Sequence, residues 1–325
     1  MQAILAVTIP FFALVLAGYL AARRHVLPES AIPGLNAFVL YFALPCMLFR
    51  FGNATPVFEL LNPVAFGVWL LAALLIVLVT IAFSLNKRVG LKDASFGALV
   101  AAFPNTGFMG LPLLAALLGP VATAPMMTTM LVDLFVTSSL CLALASAAGA
   151  AQDHGAGARA ALVRALRGAV SNPLPWAIAL GAASSAAGFR LTGPLEVIVR
   201  LLADAATPVA LFTIGAVLFR AGQHAHHRTA PADFVPVALV KLALHPLLVF
   251  ALALAARSLG LPLTGLQVVV LTLTAALPSA SNVSLLAERF GADNGRVARI
   301  IMTSTVLAFV SFTTLAWLFG VQPGG

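Results

Sequence analysis

FPNTGFMGLPLL (residues 103–114) and AALPSASNV (residues 275–283) interrupt apolar segments that are otherwise long enough to cross a bilayer. Proline, asparagine, serine and glycine at that depth leave backbone N–H and C=O groups without helical partners. Lipid cannot satisfy such groups, so unwound backbone is confined to places where it is buried in protein or lines a cavity. Two interrupted spans at corresponding places in the halves of one chain point to a binding site built from discontinuous helices.

Composition sets the class. Of 325 residues, 61% are apolar and 9% charged, with a mean hydropathy of +1.05. Soluble domains carry about 25% charged residues, so lipid is the expected solvent. The net charge of +8 is scattered through short loops, which argues against nucleic acid as a partner and for topology signals. Cys46 and Cys141 both lie inside apolar spans with no Cys-x-x-Cys and no metal-ligand spacing, and read as small core residues.

Ten spans can be drawn at 3–22, 33–51, 63–85, 95–118, 122–147, 170–188, 194–219, 234–256, 265–287 and 297–319, each of the order of 20 residues that a hydrocarbon core requires. The first lacks a basic leader and is followed by Arg23 and Arg24, so it reads as a retained helix and not a signal peptide. The odd connections hold Arg23, Arg24, Lys87, Arg88, Lys92, Arg159, Arg164, Arg167, Arg220, Arg228, Arg289, Arg296 and Arg299, which is 13 of the 18 basic residues. The positive-inside rule then puts those loops in the cytoplasm and both termini outside.

Landmarks repeat along the chain. Pro10 and Gly18 recur as Pro173 and Gly181, and Pro45 as Pro208, all displaced by 163 residues; AAFP (101–104) recurs as AALP (275–278), displaced by 174. Five spans per unit is an odd number, so the second copy must insert upside down. The expected architecture is all-α and polytopic: ten transmembrane helices in two inverted five-helix repeats, with broken crossing helices 4 and 9. The repeats occupy 1–147 and 170–325, separated by a cytoplasmic linker at 148–169.

PNTGFMGLPLL (104–114) resembles the fourth-helix signature of the auxin efflux carrier family, and AALP (275–278) resembles the matching element of its ninth helix. That family belongs to the wider bile-acid, auxin and arsenite transporter superfamily. The resemblance covers the whole chain in span number, repeat order and linker position. It implies crossing helices 4 and 9, a scaffold of helices 1, 2, 6 and 7, and movement of small organic anions. The resemblance to bacterial members implies dicarboxylates such as malonate.

The breaks have a chemistry of their own. Helix N-termini carry about half a positive charge and suit an anion. Asn105 and Asn282 are candidates to satisfy freed backbone or to bind a carboxylate, with Thr106, Ser279 and Ser281 as smaller donors. Pro104 and Pro278 make the breaks, and Gly107 permits close backbone approach. Pro45 is expected to open a helix beside the crossing, with Cys46 lining the opening or packing in the core.

Ionisable residues within spans cost about 2.5–3.5 kcal/mol at a helix centre and usually face a cavity or a partner. Asp133, Asp204, Lys241 and His245 are the candidates for ion coupling, with either aspartate pairing with Lys241, or with the lysine snorkelling to the interface. His224, His226 and His227 read as a solvated loop and not a metal site. No Walker A, His-Glu-x-x-His or Gly-x-Gly-Asp string occurs, so neither an enzyme nor a cofactor is expected. The expected function is a secondary carrier of small carboxylates, with an ion-coupled carrier of bile-acid-transporter type and a channel-like facilitator as alternatives. The partners are the anion and the bilayer, and a second copy of the chain is a candidate for a homodimer.

Overall fold

A computed structural model describes residues 1–56, 62–150, 170–223 and 229–322. The histidine loop at 224–228 and most of the expected linker, 151–169, lie outside the described residues. Seven helices are long and apolar enough to span a bilayer among the described residues: α1 Gln2–Arg23, α2 Glu29–Ala54, α3 Pro63–Ser84, α6 Pro120–Ala147, α8 Gly193–Gln223, α9 Pro231–Ser258 and α12 Asn294–Leu318. Between them lie shorter pieces: α4 Leu91–Ala102, α5 Thr106–Leu118, α7 Pro173–Ala186, α10 Gly265–Ala275 and α11 Asn282–Arg289. The sole β-type pairing among the described residues is an isolated bridge between Pro104 and Ser279.

Helix starts follow local chemistry. Asn62 accepts from the N–H groups of Val64 and Ala65, with Pro63 in the first turn of α3. Asn172 and Pro173 repeat that arrangement at α7. In both, the proline sits where a missing N–H costs no helical hydrogen bond. Thr264 and Gln267 form a reciprocal capping box at α10.

The helices sort into two groups by contact. In one, α1 packs along α8, and α7 along α2, with α2 also against α8. The other contains α3, α4, α6, α9, α10 and α12, with α3 against α4 and α9, α4 against α6, and α9 against α10 and α12. The first group is held by backbone-to-backbone approaches. A Cβ on Gly18 would fall on the Phe212 carbonyl, and one on Gly215 would fall on that of Val15. Gly181 stands in the same relation to Phe49, and Gly52 to Ile178. Such close crossings replace hydrophobic drive, which is lacking between helices in lipid, with dispersion contact.

The second group is tied at one end by Arg296, which is 2% exposed in the first turn of α12. Its guanidinium donates to the carbonyls of Asp233 (2.8 Å) and Asp93 (2.8 Å) and to Ser84 Oγ (3.3 Å), at the ends of α9, α4 and α3. Gly97 leaves room for it, since a Cβ there would stand 2.7 Å from Nη1.

Candidate functional site at the crossing

Pro104 has no N–H, so the carbonyl four residues earlier, Val100, loses its helical donor. Ser279 Oγ replaces it at 2.7 Å, from the other broken segment. The exchange is mutual along the backbone: Asn105 N–H donates to the Pro278 carbonyl at 2.8 Å, and Ala280 N–H donates to that of Phe103 at 3.0 Å. The N–H of Ser279 leaves its own helix and donates to Ser304 Oγ on α12 at 3.2 Å. The carbonyl it would have met in a continuous helix, Ala275, accepts instead from Lys241 Nζ at 2.8 Å. Each break therefore supplies what the other lacks, and a buried lysine covers the C-terminal end of α10, where cations are favoured.

Beyond the clasp each chain re-enters a helix. The Asn105 carbonyl accepts from Met109 (3.2 Å) and Gly110 (2.9 Å), which opens α5 with a π-helical turn at Thr106–Gly110. Such turns recur at functional positions. Thr106 Oγ1 and Asn282 Oδ1 are shielded and have no hydrogen-bond partner in the protein. Pro104, Asn105, Thr106, Pro278, Ser279 and Ser281 are buried, and Gly107 and Asn282 half-buried. A narrow cleft with no room for a water molecule lies beside them, lined by Asn36, Val39, Phe108, Thr213, Ile214 and Ser281. The cleft brings α2 and α8 of the first group against the crossing.

Pro45 and Cys46 are half-buried on α2 and do not line that cleft. Their neighbour Leu44 reaches the crossing, its Cδ2 lying 3.5 Å from where a Gly107 Cβ would stand. Asn36 and Thr213 carry no sequence signal beyond being polar residues within apolar helices.

Asp133, Lys241 and His245 come together, all fully buried. Asp133 Oδ1 accepts from Trp69 Nε1 (3.0 Å) and Thr137 Oγ1 (3.1 Å), and its Oδ2 has no partner. Lys241 Nζ is 3.1 Å from His245 Nδ1, whose ring centroid lies 5.2 Å from that of Trp69. His245 Nε2 is also without a partner. Both Asp133 and Lys241 sit in π-helical turns, Asp133–Thr137 and Val240–Leu244. The expected pairing differs from the observed one, because Lys241 forms no ion pair with either aspartate among the described residues and is drawn instead to the orphaned Ala275 carbonyl.

Asp204 stands elsewhere. Its side chain is 65% exposed and pairs with Arg50 at 3.1 Å. Asp204 on α8 meets Arg50 near the end of α2, so its partner is Arg50 and not Lys241. Trp69 and Ser304 complete the polar arrangement and were not legible from the sequence. Thr137, four residues after Asp133, carried a usable helical-spacing signal.

Comparison with known proteins agrees with a transport role. The family model described as "Membrane transport protein" matches residues 3–316. A Rhizobium meliloti protein named "Putative malonate transporter" is 29% identical over 321 residues, covering 98% of this chain and 96% of the relative. An "Uncharacterized transporter" of Methanothermobacter thermautotrophicus is 29% identical over 308 residues, covering 92% of each. The "Uncharacterized transporter YfdV" of Escherichia coli K12 is 26% identical over 321 residues, covering 96% of this chain and 95% of the relative.

Proposed function

The chain belongs to the membrane transport protein family, that of the auxin efflux carriers, and on that premise we propose that it is a secondary carrier of small carboxylates working by alternating access around the crossing. That it is a multi-pass membrane transporter and not an enzyme follows from the family and the relatives. The observation that carries the finer reading is the backbone clasp between 103–105 and 278–280. Irregular backbone inside a bilayer-length segment is tolerated where it is enclosed by protein or faces a cavity, and here two helix N-termini meet beside unpartnered Thr106 and Asn282 oxygens. The substrate groups would be Asn105, Thr106, Gly107, Ser281 and Asn282. Pro104, Pro278 and Ser279 hold the frame.

The inverted-repeat reading draws support from the glycine crossings. Gly18 with Phe212, and Gly215 with Val15, recur as Gly181 with Phe49, and Gly52 with Ile178. Every correspondence spans the same 163 residues, and the helices exchange roles as an in-plane two-fold axis requires. On this reading ten spans form two five-helix repeats over 1–147 and 170–325. Residues 148–169 form a cytoplasmic linker, and both termini are periplasmic. Asp133, Lys241 and His245 are the coupling candidates, since intramembrane ionisable groups are retained where they serve. The named malonate relative makes a dicarboxylate the first substrate to try.

Uptake by purified protein in proteoliposomes, screened over mono- and dicarboxylates with and without proton and sodium gradients, tests this reading. Saturable uptake of a carboxylate supports a carrier. Flux that never saturates would favour a channel-like facilitator.

A further inference from the structure

A cavity of about 240 Å³ opens where α8, α11 and α12 meet, lined among others by Val217, Arg220, Ser284, Glu288 and Asn294. Val217 also borders the cavity's inner neighbour, lining the cleft wall formed by Thr213 and Ile214 beside the crossing. Along α8 the residues Thr213, Val217 and Arg220 follow at helical spacing and share one face. Along the facing wall Ser281, Ser284 and Glu288 do the same. Two stripes, one on α8 and one on α11 with the residue before it, thus run from a mouth to the crossing.

At the mouth they are joined by an ion pair, with Arg220 Nη2 3.5 Å from Glu288 Oε1. The other two ion pairs described stay within one group each: Arg50 with Asp204 on α2 and α8, and Arg88 with Asp233 beside α3 and α9. The Arg220–Glu288 pair is built to be asymmetric. Arg220 lies in the last turn of α8, where a cation is favoured, whereas Glu288 lies in the last turn of α11, where an anion is disfavoured. The Glu288 side chain is 54% exposed against 24% for Arg220, and a pair so exposed is weak.

We propose that Arg220 is the docking residue for the anionic substrate, and that the substrate's carboxylate displaces Glu288 from it, releasing the tie between α11 and α8 as the anion arrives. This rests on the carrier reading above. A carboxylate on Arg220 makes the same contacts that Glu288 makes, with the planar guanidinium able to bind it at two points. Because α11 begins at Asn282, freeing its far end loosens the segment that forms one wall of the crossing. The substrate then acts on the passage it uses.

The test is malonate transport in inside-out vesicles carrying wild type, Arg220→Gln, Glu288→Gln or the charge swap Arg220→Glu with Glu288→Arg. Arg220→Gln is expected to raise KM about tenfold with maximal rate little changed, as loss of a docking contact should. Glu288→Gln is expected to lower KM, since it removes the competing carboxylate. The swap restores an ion pair but takes the arginine off α8 and the stripe that leads to the crossing, so KM is expected to stay high. Recovery of wild-type KM in the swap would overturn the proposal and assign the pair a purely structural role, as would equal rises in KM for both single variants. Wild-type vesicles report separately on the carrier reading: if they show no saturable anion transport, that reading falls and takes the docking role with it. Saturable wild-type transport with KM unmoved in Arg220→Gln overturns the docking role alone.

Discussion

The N–H of Asn105 lies 2.8 Å from the carbonyl of Pro278, so two helices broken at prolines 174 positions apart in the sequence complete one another's backbone. Ser279 Oγ on Val100 and Lys241 Nζ on Ala275 finish the exchange. The two breaks thus re-pair part of each other's freed backbone, while the Thr106 and Asn282 side-chain oxygens have no partner in the protein.

Ser279→Ala removes the donor to Val100 and leaves a buried carbonyl unpaired, which costs about 1–3 kcal/mol. The melting temperature of the purified variant is expected to fall and transport to weaken with it. Ser279→Thr, which keeps the hydroxyl, is expected to recover part of both.

Arg296→Met strips three acceptors of their donor at the junction of α3, α4, α9 and α12. Each buried acceptor left unpaired typically costs about 1–3 kcal/mol. Thermal denaturation followed by size-exclusion should show a large loss of folded protein, far beyond that from Arg50→Met at the exposed pair with Asp204.

Gly18→Leu puts a side chain where the Phe212 carbonyl stands. Backbone cannot yield as a side-chain tip can, so α1 and α8 must separate, at a cost of more than the roughly 1–3 kcal/mol of ordinary overpacking. Little monodisperse protein is expected from this variant, and the same from Gly181→Leu at the second crossing.

Asp133→Asn keeps a group able to accept from Trp69 and Thr137 while removing the exchangeable proton. If the Asp133–Lys241–His245 cluster couples a cation to transport, accumulation driven by an acidic outside is expected to disappear, with exchange of substrate down its own gradient retained. Asp204→Asn is expected to keep both, because Asp204 is exposed and engaged by Arg50. Loss of accumulation in Asp204→Asn alone would assign coupling to the wrong aspartate.

Much of this was legible because lipid leaves the chain few choices. Segments of apolar residues had to be helices, and prolines and asparagines inside 103–114 and 275–283 had to mark breaks. The partners of the freed groups were not legible. Nothing in the sequence joins Ser279 to Val100 across 179 residues, or Lys241 to Ala275 and not to an aspartate. Those choices depend on which helices become neighbours. The partner of Asp204 was not legible either, because Arg50 stands 154 positions away and only the packing of α2 on α8 joins them. Gly18 and Gly181 were visible as landmarks, but their contacts with opposite carbonyls needed the packing.

If the crossing binds the anion, equilibrium binding of radiolabelled malonate to purified Asn105→Ala must show the loss. The backbone N–H of residue 105 survives the substitution, so the clasp to Pro278 is retained and the melting temperature is expected to stay near wild type. Affinity is expected to fall by about tenfold or more, which corresponds to roughly 1.4 kcal/mol. Wild-type affinity in a folded Asn105→Ala protein would mean that the anion binds elsewhere.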